Sequence, residues 1–137
     1  MTKEEKDLLL KDLCARLSYG VKISVQSWDE EEQEYVDKVD MLYSVNKDEY
    51  IKSANEDYDF NIEDIKPYLL PLSSMTEEQS KELEEIDPEF YSLIYNNGEI
   101  YVSMDLRGYD WLNKNNFDYR GLIPKGLAID CTNLNIY

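Results

Sequence analysis

The stretch Val21-Lys22-Ile23-Ser24-Val25-Gln26-Ser27-Trp28-Asp29-Glu30-Glu31-Glu32-Gln33-Glu34-Tyr35-Val36-Asp37-Lys38-Val39-Asp40-Met41-Leu42-Tyr43-Ser44-Val45 decides the fold class. Val21, Ile23 and Val25 alternate with Lys22, Ser24 and Gln26, the period of a half-buried strand. Strand character resumes over 35–45, with Tyr35, Val39, Met41 and Tyr43 on one face. Between them Asp29-Glu30-Glu31-Glu32-Gln33 is too polar to be anything but a solvated loop. The spacing predicts a hairpin with strands over 21–28 and 34–45. A weaker third strand follows over Glu49 to Ser53, and then an acidic, turn-like stretch from Asn55 to Asn61.

Upstream lies a helix over about residues 3–18. Thr2 and Glu5 form a capping box, each able to satisfy the other's orphan backbone N–H. Leu10, Leu13, Cys14 and Leu17 recur at helical spacing, which reads Cys14 as a small core hydrophobe. Gly20 suits a left-handed cap after Tyr19.

Downstream, Pro67 and Pro71 prevent a continuous helix from Ile62 to Leu72, so an extended segment carries Tyr68, Leu69 and Leu70 across the core. Thr76 and Gln79 form a second capping box and open a thinly anchored surface helix, Glu77 to Ile86, with Leu83 and Ile86 inward. Asp87-Pro88 stops it. Asn97-Gly98 is the preferred two-residue hairpin turn. It predicts a second hairpin over 90–104 that pairs Tyr95 with Ile100, Leu93 with Val102 and Tyr91 with Met104, all on one face. Asp105 caps a last helix, Leu106 to Asn115, with Leu106, Tyr109 and Leu112 inward. The apolar tail Thr132–Tyr137 is expected to dock on the body. The predicted fold is therefore a single α+β domain, an antiparallel sheet of two hairpins packed with N- and C-terminal helices.

The chain has 137 residues, 30 acidic and 14 basic, a formal net charge of −16, and no histidine. Residues 101–137 are neutral overall, so the whole excess sits in the first 100. Such a balance argues against nucleic acid, whose binders neutralise phosphates with Lys and Arg. It disfavours an anionic membrane and favours a basic protein partner or simple solubility. No run reaches the ~20 apolar residues of a membrane span, and the charged N-terminal stretch does not read as a signal peptide. Cys14 and Cys131 are read as free thiols in a reducing cytoplasm.

Without histidine, a His-activated Ser or Cys nucleophile is excluded within one chain. No zinc pattern is present. Asp57-Tyr58-Asp59 with Asn61 and Glu63 has a faint calcium-loop spacing, but Ile62 stands where the loop needs glycine. The five glycines never cluster into a phosphate-binding loop. No catalytic, cofactor or metal residue is assigned.

Two stretches are candidate recognition surfaces. In the first, Trp111, Phe117 and Tyr119 interleave with Asn113, Asp118 and Arg120, residue types enriched at interface hot spots. The competing reading puts these aromatics in the core, with Arg120 paired to Asp118 or Asp110. The second is acidic: Glu30, Glu31 and Glu32, with a further run at Glu77–Glu89. Such runs are either solvated faces or imitations of phosphate spacing that occupy a basic groove.

Four stretches resemble an uncharacterised family of small proteins from anaerobic gut bacteria and their phages. They are Leu8–Leu17, Lys66-Pro67-Tyr68-Leu69, Pro71–Glu78 and, most specifically, Asp110-Trp111-Leu112-Asn113-Lys114-Asn115-Asn116-Phe117-Asp118-Tyr119-Arg120-Gly121-Leu122-Ile123-Pro124-Lys125-Gly126-Leu127-Ala128. Residues 21–60 and 88–109 differ freely within it. The resemblance implies association with phage or mobile elements and brings no known reaction or cofactor. The family often carries histidine where Asn116 stands here.

Two functions follow as expectations: a non-enzymatic interaction protein that binds a basic protein partner through its acidic surface, or a small-ligand binding or sequestering protein.

Overall fold

A computed structural model describes residues 1–97 and 106–137. Helix α1, Lys3–Arg16, opens on the Thr2–Glu5 capping box. A short 3-10 turn then ends at Gly20, whose φ of 70° is the left-handed cap the sequence predicts. Strands β1, Lys22–Asp29, and β2, Glu34–Val45, form the first hairpin. Strand β3, Tyr50–Ser53, continues the meander, and the two-residue β4, Phe60–Asn61, pairs on β3.

The proline-bearing segment is strand β5, Lys66–Pro71, antiparallel to β1. Short strands β6, Phe117–Asp118, and β7, Ile129–Asp130, both run parallel to β5. The sheet, in the order β4-β3-β2-β1-β5-β6 with β7 also on β5, is therefore mixed rather than purely antiparallel. The parallel pairs join residues almost fifty or more positions apart, contacts that no local pattern announces. The class α+β holds.

Helix α2, Glu77–Ile86, opens on the Thr76–Gln79 capping box. Residues expected to start a second hairpin instead form helix α3, Pro88–Asn97. Asp87-Pro88 ends one helix and begins the next. The Asp87 carboxylate accepts the Phe90 N–H at 3.1 Å, and Pro88 takes the first helical position, where a missing N–H costs nothing. Phe90 and Ile94, four residues apart, pack on one side; the expected hairpin had instead put Tyr91, Leu93 and Tyr95 on a shared face. The Asn97-Gly98 turn, the returning strand and the Asp105 cap involve residues outside those described.

Helix α4 is Arg107–Lys114. Its inner face carries Gly108, Trp111, Leu112 and Asn113, whereas Leu106, expected inside, is exposed. Gly108 is fixed by contact: a Cβ there would come within 2.4 Å of the buried Phe90 ring.

Among the described residues, two clusters form the interior. One joins Leu9 and Leu13 of α1 to Val21, Ile23, Val25, Leu42, Ile51 and Leu69 of the sheet region. The other gathers Leu83, Phe90, Trp111, Leu112 and Phe117 where α2, α3 and α4 meet β6. Cys14 is exposed, because α1 turns its 9-12-13-16 side inward and buries Asp12 and Arg16 there. The tail docks: the Tyr137 hydroxyl donates to the Tyr68 carbonyl and accepts the Lys22 N–H, both at 2.9 Å.

Candidate functional site

The C-terminal candidates separate by burial. Trp111, Asn113, Phe117 and Asp118 lie in the interior, while Tyr119 and Arg120 are half-buried. Trp111 stacks on Phe117 at 5.7 Å and donates its indole N–H to Glu82 at 3.0 Å. The Asp118 carboxylate accepts the N–H groups of Leu122 and Ile123, which shapes the Gly121–Gly126 turn.

Arg120 pairs with neither Asp118 nor Asp110. Its Nε reaches Asp12 Oδ1 at 3.2 Å, across 108 residues of sequence. Asp12 Oδ2 accepts Arg16 Nε at 2.9 Å, and Arg16 Nη2 donates to the Phe117 carbonyl at 2.6 Å. Asp12 and Arg16 have no solvent exposure. The Tyr119 ring lies near both guanidinium carbons, 5.3 Å from that of Arg16 and 4.8 Å from that of Arg120. Its hydroxyl donates to Asn113 Oδ1 at 2.9 Å. This network ties α1 to the segment after α4. A cavity of about 360 Å³ opens beside it, lined by Tyr109, Asp110, Asn113, Tyr119 and Arg120.

The acidic candidates are the reverse case. Glu30, Glu31 and Glu32 are exposed at the β1–β2 turn, where Asp29 Oδ1 accepts the N–H groups of Glu31 and Glu32. From Trp28 to Tyr35 the chain carries five carboxylates and no cation.

Beside this turn lies a surface whose direction the sequence reading left open. Tyr35, Val39, Met41 and Tyr43, expected to share a face, do so, and that face points outward: they are 63%, 48%, 45% and 68% exposed. The register explains why. Ile23 and Val25 fix the inner face of β1, and Ile23 lies opposite Asp40, so the even-numbered residues of β2 turn inward as far as Leu42, after which the register with β3 shifts. Trp28 lies opposite Tyr35 on the outer face, their rings edge-to-face at 5.2 Å. The inner face tolerates Asp40 because its carboxylate accepts the N–H groups of Met41 and Asn55 and the Asn55 amide, at 2.8–3.0 Å. Burial pushes the Asp40 pKa up, but these bonds, led by the Asn55 N–H, outweigh it and hold the carboxyl below its usual range. The signal in the sequence for the inward face was Leu42, the apolar residue on the even side of β2.

Among the described residues, no group of three or more Cys, Asp or Glu side chains is arranged to hold a metal ion. No described helix is long and apolar enough to cross a membrane. Comparison with protein-family models, curated proteins and solved structures returns no match.

Proposed function

We propose that this protein is a non-enzymatic interaction protein that binds a basic protein partner through the outer face of the β1–β2 hairpin. The observation that carries the reading is one continuous feature. Trp28, Tyr35, Val39, Met41 and Tyr43 stand exposed on neighbouring strands, and Asp29, Glu30, Glu31, Glu32 and Glu34 rim one end. Aromatic side chains supply contact area and the acidic rim supplies attraction and orientation, the usual division of labour at interfaces. The Trp111–Arg120 stretch, with its aromatics Trp111 and Phe117 in the interior, has a structural role in this reading. The resemblance noted above adds a setting: an element of phage or mobile DNA, acting in the host cytoplasm.

The test is capture of host proteins on the wild-type chain, on a triple charge reversal (Glu30→Lys, Glu31→Lys, Glu32→Lys) and on Tyr35→Ala, at low and high salt. The reading expects a captured protein that is lost with either variant and with salt. A partner retained equally by all three baits in both salts overturns it.

The cavity beside Tyr109, Tyr119 and Arg120 favours a second reading, a binder of small ligands. It predicts a rise of several degrees in melting temperature with one compound of a nucleotide and metabolite screen, abolished by Arg120→Ala.

A further inference from the structure

The outer face ends at an open strand edge. β1 covers one side of β2 from Glu34 to Met41, and β3 covers the other only from Leu42 onward. Two hydrogen bonds fix which residues address which side. The Leu42 N–H reaches the Val21 carbonyl beside β1, and the Ala54 N–H reaches the Met41 carbonyl on the opposite side. Backbone direction alternates along a strand, so from Glu34 to Leu42, before the register shift, even-numbered residues of β2 address β1 and odd-numbered residues address the far side. Met41 is already engaged there, its carbonyl with Ala54 and its N–H with the Asp40 carboxylate. At Asn55 the chain is tied to the Asp40 carboxylate. Among the described residues, Tyr35, Asp37 and Val39 therefore present three N–H groups and three carbonyls in register, with no strand beside them.

The side chains of these same three residues point to the outer face in the order aromatic, acidic, apolar. We infer that this edge takes up an extended segment of the basic partner as an added strand, with an Arg or Lys opposite Asp37 and apolar residues opposite Tyr35 and Val39. The inference rests on the proposed basic-partner reading and supplies its geometry. Main-chain hydrogen bonds to the edge give affinity, and the alternating side chains choose the sequence. Charge selects the occupant. A second copy of this chain pairing antiparallel about Asp37 would set Asp37 against Asp37 and bring two acidic turns onto the interface, and like charges directly opposite each other destabilise a pair. A strand carrying a cation at that position gains where the copy loses.

The test uses a synthetic peptide, Lys-Thr-Val-Thr-Arg-Thr-Val-Thr-Lys, and an analogue N-methylated at alternate residues. The analogue keeps every charge and side chain but cannot form the ladder. Amide hydrogen exchange of the full chain is followed residue by residue by NMR at low salt. The expected result is exchange about tenfold slower at Tyr35, Asp37 and Val39 with the peptide and unchanged with the analogue. Val39→Pro removes one edge donor without touching the β1 ladder, as proline is tolerated at sheet edges, and should weaken peptide binding about tenfold while leaving the melting temperature near wild type. Equal binding of both peptides without protection of the three amides overturns the added strand and leaves charge attraction standing. Binding of neither peptide overturns the added strand and the basic-partner reading together.

Discussion

Asp12 shows what a single residue can carry in this fold. Its carboxylate is fully buried and is the ion-pair partner of both Arg16 and Arg120. Removing one member of a buried pair strands the other charge, which typically costs about 3–5 kcal/mol. Asp12→Ala should therefore lower stability by that order in urea unfolding, and Arg120→Ala by less, since the Arg120 side chain is partly exposed. Equal, small losses for both would show that the network does not hold the fold. Gly108 is the steric counterpart. Gly108→Ala drives a methyl group into the Phe90 ring, an overpacking that costs about 1–3 kcal/mol and should appear as a lower urea midpoint. Neither role was legible in the sequence. Asp12 and Arg16 look like ordinary solvated charges, Arg120 reads as a recognition residue or as a partner of Asp118 or Asp110, and only chain packing brings residues 12 and 120 together.

At the scale of elements, the legible features were those with local physical causes. Both capping boxes formed as read, because each needs only four consecutive residues. The first hairpin formed because alternation on β1 and a polar turn specify it. The second gave way to a helix over 88–97 because this stretch supports both periods: Tyr91, Leu93 and Tyr95 alternate, while Phe90, Tyr91 and Ile94 recur at helical spacing. The Asp87 cap and Pro88 favour the helix, and Asp87→Ala should cost about 1 kcal/mol by thermal melting. The four large odd-numbered side chains of β2 do share a face, but which face turns to the core was not read, although Leu42 on the even side marks it. Asp40, buried on the inner side, gives this element a pH signature. Its folded pKa is depressed, so its contribution is complete above the ordinary carboxylate value of about 4 and is lost as pH falls through the lower folded value. The stability gap between wild type and Asp40→Asn should thus be widest near neutral pH and close below about pH 4. A gap that is flat across this range would show that the Asp40 hydrogen bonds contribute nothing as a charged set.

For the whole molecule the dominant quantity is a net charge of −16 on 137 residues. Self-repulsion on this scale destabilises the compact state, and salt screens it. The melting temperature should rise by a few degrees as salt is raised from about 20 to about 500 mM, while binding of a basic partner weakens over the same range. A fall in melting temperature would mean that exposed pairs such as Lys6–Glu63 outweigh the repulsion. The same charge distribution was visible in the sequence; its alignment with an aromatic sheet face and an open edge was not, because it depends on the register of β1 against β2.

The central claim, that the outer face of this hairpin is where a basic partner binds, has a built-in reporter. The chain has two tryptophans; Trp28 lies exposed on that face and Trp111 is buried. In a Trp111→Phe variant, Trp28 is the sole indole. Titrating the fluorescently labelled basic peptide should change Trp28 emission saturably, in step with the peptide's own anisotropy, with an affinity at least about tenfold lower in high salt. Peptide binding detected by anisotropy with no change at Trp28 would contradict the account.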